Sequence, residues 1–246
     1  MKPALQYNRY NQPYAWDDLP QGKWLRKQTE RHLNQWLPRV FGYHMVKLGH
    51  LSAEIDCSAS PIKHQVNVAT SGKNIGVKAD WHHLPFRENS IDAVLLAHNL
   101  DFTHDPHQLL REAHRILIPD GYLIITGFNP ISLCGLGRFV PKLKNDLPWS
   151  GRFFSPNRVT DWLNLLGCQV VSEQRFVQRS LIWKKAYIKN KSITRFTHKH
   201  FSYFGAVYVL IARKRELPLT PIKPKWKLNP KLQTVKVGTV RMRNRG

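Results

Sequence analysis

Acid is what this chain has least of. Sixteen Asp and Glu stand against 38 Lys and Arg in 246 residues, a formal net charge of +22, so the molecule is expected to attract anions. Cysteine is scarce too. Cys57, Cys134 and Cys168 lie far apart, with no close pair and no metal-type spacing. This excludes a disulfide framework and reads as reduced thiols in a cytoplasmic protein. No apolar run approaches the ~20 residues of a membrane-spanning helix, and the N-terminus lacks the basic-then-apolar order of a secretion signal. Histidine is plentiful, but for the pairs His82–His83 and His104–His107 spacing fixes no third ligand. A closed metal site needs about four, so no metal is expected.

What the chain does have is enough apolar side chain, 42% of its residues, to bury a full core. Val77 to Asn129 is its most informative stretch. Ile91-Asp92-Ala93-Val94-Leu95-Leu96 reads as a strand of the kind buried on both faces. Asp105 followed by Pro106 predicts a helix start, after which Leu109, Leu110, Ala113, Ile116 and Leu117 fall on one face. Pro119-Asp120-Gly121 predicts a turn, and Tyr122 to Thr126 the next strand. Strand, crossover helix and strand so close together imply a right-handed parallel unit.

The ordered set Asp80, Leu84-Pro85-Phe86, Ser90-Ile91-Asp92, Val94, His104-Asp105-Pro106, Glu112, Arg115, Leu117, Pro119 and Gly121 resembles the class I S-adenosylmethionine-dependent methyltransferases, in particular the type 11 group. The resemblance implies an α/β fold with a seven-stranded, mostly parallel, Rossmann-like sheet and helices on both faces. It also implies methyl transfer from S-adenosylmethionine to an acceptor that the sequence does not specify. In that family the acid at Asp80 contacts the adenine amino group, and the residue at Trp81 helps form the adenine slot. From the residues alone, Leu84 to Phe86 read as a packing loop, and Glu112 with Arg115 as a surface pair.

The cofactor loop departs from the family. A strand, an acid and a loop of three glycines are expected, because backbone must approach the ligand closely there. The chain reads Met45-Val46-Lys47-Leu48-Gly49-His50-Leu51-Ser52-Ala53. Gly49 keeps the first glycine, whereas Leu51 and Ala53 replace the others. Lys47 stands where the family has an acid for the methionine ammonium group, which a lysine would repel. Ala69 ends the second strand where an acid for the ribose is expected. Two readings stay open. In one, Gly49, His50, the Ser52 backbone, Asp80 and Trp81 still bind the cofactor, with Glu54 or Asp56 replacing the missing acid. In the other, the fold has outlived the cofactor.

His98 and Asn99 follow the fourth strand, at the carboxyl end of the sheet where such folds bind ligands. His98 is the candidate catalytic residue, as a general base and a cofactor-side group, because imidazole exchanges protons near neutral pH. A structural histidine is the competing reading. The full set of expected strands is Tyr43–Leu48, Gln65–Ala69, Ile75–Lys78, Ile91–Leu96, Tyr122–Thr126, Gln169–Arg175 and Ala206–Arg213. Helices are expected over Gly22–Leu37, capping the sheet or the cleft, and over Pro156–Leu166. The domain reading is a capping segment 1–40, a methyltransferase-like domain 41–215 and a basic, disordered tail 216–246.

Charge is concentrated. From Arg175 onward 19 Lys or Arg meet one acid, Glu216. Basic residues interleave with Trp183, Tyr187, Phe196 and Tyr203, and an amphipathic helix could present Trp183 and Tyr187 together. RNA would offer phosphates and bases to such a segment, and anionic lipid would offer headgroups and an interface. A merely solvated tail is the third reading. The alternative function is therefore a catalytically inactive methyltransferase fold that binds RNA or membrane through this region.

Overall fold

The computed structural model of the chain describes residues 12–72, 75–140, 146–176, 205–216 and Gly238. The chain divides into two units, Met1–Glu216 and Leu217–Gly246, and the fold below belongs to the first. The expected amphipathic helix around Trp183 and nearly all of the basic tail lie outside the described residues.

A 3-10 turn at Trp16–Asp18 leads into α1 (Gly22–Leu33), then β1 (His44–Leu48), α2 (Gly49–Glu54), β2 (His64–Ala69), β3 (Val77–Lys78) and β4 (Ile91–Ala97). There follow α3 (Asn99–Phe102), α4 (Pro106–Ile116), β5 (Leu117–Phe128), α5 (Leu133–Leu136), α6 (Pro156–Leu165), β6 (Cys168–Phe176) and β7 (Val207–Lys214). The seven strands form one sheet in the order β3-β2-β1-β4-β5-β7-β6. The first five run parallel, and β7 enters antiparallel between β5 and β6. The order reverses between β1 and β4, which opens a crevice at their carboxyl ends.

Strand β4 shows why the sheet is buried on both sides. Ala93, Leu95 and Ala97 join a core layer with Trp16, Leu25, Leu33 and Leu51. Val94 and Leu96 join the opposite layer with Leu109, Leu110, Ala113, Val159 and Trp162. Each large apolar side chain withdrawn from water in this way contributes roughly 1.5–3 kcal/mol.

Helix α4 starts as its sequence predicts. The Asp105 carboxylate accepts the N–H groups of His107 and Gln108, both at 3.0 Å. Its partners at Glu112 and Arg115 do more than pair with each other at 2.9 Å. Arg115 donates to the carbonyls of Leu84 and Phe86, each at 3.0 Å, and Glu112 accepts the Leu84 N–H at 3.1 Å. This part of the family pattern therefore staples a loop onto a helix.

Most strand ends differ from expectation by one or two residues, and two departures are larger. Helix α1 stops at Leu33, and Leu37–Arg39 is a separate 3-10 turn, since Pro38 cannot continue an α-helix. Strand β5 begins at once after α4, and Pro119-Asp120-Gly121 forms an irregularity inside it, between the Ile91–Leu117 and Ala93–Tyr122 pairs. All three cysteines are buried. Burial pushes the thiols of Cys57 and Cys168 up to about 11 and that of Cys134 up to about 12.

Candidate active site

Strand β1 delivers Gly49 to the crevice with φ at +81°, a conformation open to glycine and strained for other residues. The helix α2 begins at this glycine, so helix stands where a glycine-rich loop was expected. A Cβ at position 49 would lie 2.4 Å from Asn99 Nδ2 and 3.2 Å from Trp81 Cζ2. Ser52, on the next turn, ties α2 to the end of β4. Its hydroxyl accepts the Ala97 N–H at 2.8 Å and donates to Asn99 Oδ1 at 3.3 Å.

Lys47 does not act as its position in the pattern suggested. Its ammonium donates to the Ile55 carbonyl at 3.0 Å. It lines a separate surface hollow of about 450 Å³ with Asp56, Cys57, Ser58 and Lys63. Ala69 is buried at the end of β2 and offers no polar group to a ribose.

Asp80 stands at the rim beyond β3. His82 approaches its Oδ1 with both the backbone N–H, at 3.1 Å, and ring Nδ1, at 3.0 Å. Burial pushes this carboxyl upward, but the hydrogen bonds from His82 and His83 outweigh it and hold Asp80 below the usual carboxylate range. The other His82 nitrogen meets Thr103 Oγ1 at 2.9 Å, which fixes the ring. Trp81 is buried, and its indole N–H has no partner among the described residues.

His98 lies where β4 ends, with φ at +59°. Its Nδ1 lies 3.0 Å from Asp101 Oδ2, a hydrogen bond between two fully buried side chains. Asp101 Oδ2 also accepts the Phe128 N–H at 3.1 Å. Burial holds the Asp101 carboxyl above the usual carboxylate range, and the contacts with His98 and that N–H offset this only in part. His98 Nε2 and Asp101 Oδ1 have no partner among the described residues.

A strap from the N-terminal side covers this ground. Gln12 donates to the Phe102 carbonyl at 3.3 Å, and Trp16 Nε1 donates to the Leu51 carbonyl at 2.9 Å. The Tyr14 ring packs on His50 with centroids 5.0 Å apart, and burial lowers the pKa of that imidazole. Gln12, Pro13, Gly49, His50, Trp81 and His98 together enclose a cleft of only about 10 Å³, room for a single water.

The sequence-derived candidates Gly49, His50, Trp81 and His98 thus line one cleft, with Asp80 beside Trp81 at its edge. The residues fit the adenosine and reacting ends of S-adenosylmethionine. Gly49 exposes bare backbone, the Trp81 indole N–H and His98 Nε2 are unpartnered, and Asp80 accepts hydrogen bonds. Sequence reasoning missed Asp101 and Trp16, and it used only the backbone of Ser52, whose hydroxyl makes the contacts seen here. Asp101 had a signal, an acid three residues past His98 just beyond a buried strand, whereas nothing in the local sequence pointed to Trp16.

Residues 42–125 match the family described as Methyltransferase domain. The chain is 44% identical over 234 residues to the uncharacterized protein YafS of Escherichia coli (strain K12), covering 95% of this chain and 91% of that one. It is 35% identical over 82 residues to demethylmenaquinone methyltransferase of Thermobifida fusca (strain YX), 33% of this chain and 35% of that one. Among solved structures, a possible histamine N-methyltransferase of Thermotoga maritima superposes with a TM-score of 0.53 at 21% identity, over 78% of this chain and 92% of that chain. At that identity the likeness is one of fold.

Proposed function

We propose that the chain is a class I S-adenosylmethionine-dependent methyltransferase that binds S-adenosylmethionine in the cleft between β1 and β4 and methylates an acceptor held on the His98 side. The observation that carries this reading is Gly49, held at φ +81° at the carboxyl end of β1 beside Trp81. When bound, the cofactor supplies an electrophilic methyl group on a sulfonium. The Gly49 backbone permits close approach, Asp80 accepts from the adenine amino group and Trp81 walls the base. Holding donor and acceptor in line then provides much of the acceleration.

The test is calorimetric titration of S-adenosylmethionine and S-adenosylhomocysteine into the full chain and its Asp80→Ala variant. Saturable binding, weakened about tenfold by the variant, is expected, corresponding to loss of one charge-assisted hydrogen bond. Absence of binding at millimolar ligand would sink this reading. The 19 basic residues from Arg175 onward would then favour a non-catalytic fold anchored to RNA or anionic lipid. A Trp183→Ala variant that loses vesicles but keeps RNA would select lipid.

A further inference from the structure

We infer that Arg152, Arg158 and Arg111 surround a binding seat for the phosphate group of a small phosphate monoester, on the side of the sheet opposite Trp16. Two aromatic rings of that layer, Phe154 and Trp162, organise the place. They pack on each other with centroids 4.9 Å apart, and His107, in the first turn of α4, lies 4.3 Å from Trp162. The Arg158 guanidinium stands 5.8 Å from the centroid of Phe154 and 5.2 Å from that of Trp162, and the Arg152 guanidinium stands 5.1 Å from Phe154. Arg111 follows His107 by four residues in α4, which puts it one turn on along the same face.

Packing alone gives no reason to gather these charges. Two guanidinium groups share the Phe154 ring, and like charges so placed repel. Arg158 also sits in the first turn of α6, the positive end of the helix dipole, where a cation is disfavoured. Among the described residues Arg158 makes no ion pair, and Asp161, three residues on in α6, is not joined to it. The Asp105 carboxylate does not neutralise the group either, because its Oδ1 caps α4 by accepting the N–H groups of His107 and Gln108. His107 registers the result. Burial does most to lower its pKa, Asp105 opposes, and Arg111, Arg158 and Arg152 all press it down further.

The geometry selects the ligand. A guanidinium held against a ring keeps a fixed plane, so its forked N–H groups are set to grip a phosphate in bidentate fashion. Phe154 is 2% and Trp162 8% exposed. Neither ring is therefore free to stack on a nucleobase, which sets aside the usual mode of single-stranded RNA recognition. A nucleic-acid backbone also spreads one charge per phosphate along a track and calls for a stripe of basic residues. Here three guanidinium groups converge on one place. That concentration suits a monoester, whose single phosphate carries a charge of about −1.5 to −2 at neutral pH. The seat lies apart from the cleft at Gly49 and does not depend on the methyl-transfer reading.

The experiment uses the full chain, wild type, Arg158→Gln and Arg158→Lys, with phenyl phosphate as the probe. The readout is the His107 ring in the NMR spectrum, assigned with His107→Gln. The basic residues from Arg175 onward also attract phosphate, but only binding at the seat moves His107. Saturable movement of its signals is expected, with a rise in its titration midpoint, because a bound anion offsets the guanidinium charges. Arg158→Gln should weaken binding at least ~10-fold. Arg158→Lys should fall between, keeping the charge without the fork, and it carries the test alone should the glutamine variant not fold. Methyl phenyl phosphate, a singly charged diester, should bind at least ~5-fold more weakly than the monoester. Wild-type affinity in the Arg158 variants would overturn the seat, as would the same movement in sodium chloride of equal ionic strength. A diester that binds as tightly as the monoester would overturn the assigned ligand in favour of a nucleic-acid backbone. The titration contains no cofactor, so its failure and a failure to bind S-adenosylmethionine are separate results.

Discussion

The indole of Trp16 stands edge-on to the imidazole of His98, ring centroids 5.6 Å apart and planes at 79°. The same indole donates to the Leu51 carbonyl on α2. One side chain from the N-terminal strap therefore touches both the turn after β1 and the turn after β4. Trp16 thus links the strap to His98 and to α2 at once.

Replacing Trp16 by Ala removes a fully buried ring and a hydrogen bond. Loss of about 3–5 kcal/mol of stability is expected, measured by urea unfolding. Trp16→Phe keeps most of the apolar contact but orphans the Leu51 carbonyl, and should cost about 1–3 kcal/mol.

Gly49→Ala forces a left-handed alanine against Asn99. A cost of about 1–3 kcal/mol is expected, together with at least ~10-fold weaker S-adenosylmethionine binding by calorimetry. An alanine variant binding as tightly as the wild type would show that the cofactor does not use this backbone.

Lys47→Met tests whether the ammonium opposes the cofactor. Because Nζ serves the Ile55 carbonyl, the variant should keep S-adenosylmethionine affinity within about twofold. Stability should change by no more than about 1–2 kcal/mol, since an apolar chain of similar size often replaces a buried charge without loss. A tenfold gain in affinity would restore the repulsion that the sequence suggested.

Arg115→Ala releases the Leu84 and Phe86 carbonyls and leaves Glu112 without its partner. About 1–3 kcal/mol should be lost, with faster proteolytic cleavage between Leu84 and Arg87. Cleavage at the wild-type rate would refute the staple.

Burial lowers the pKa of His50, His107 and His114 below the ordinary value of 6.5. For each, the unfolded chain binds more protons than the folded one as pH falls past 6.5, so stability rises with pH in that window. The melting temperature should fall on acidification from pH 7.5 to 5.5, and His114→Gln should flatten the fall. A melting temperature rising on acidification would contradict this sign.

Much of the fold could be read because its signals are local. The Asp105–Pro106 cap and the doubly apolar β4 each needed only neighbouring residues. The site was legible only in part. Gly49, Asp80 and Trp81 sit at family positions and His98 at the end of a predicted strand, but Asp101 acquires its place through the left-handed turn at His98. The direction of Lys47 depends on where α2 ends, at Ile55. The strap is seated by Trp16 and Tyr14, whose partners Leu51 and His50 are remote in the chain. Local pattern carries no information about such meetings.

Cys57, Cys134 and Cys168 are the chain's whole complement of thiols, and burial keeps them protonated and sheltered. Native protein should therefore ignore maleimide dyes, thiolate being the reactive species. A cysteine placed at Tyr14, which is 64% exposed, would then be the one position to take up label. The wild-type chain is a silent background on which a single fluorophore could time the strap as it lifts and settles, with no need to strip its own sulfurs first.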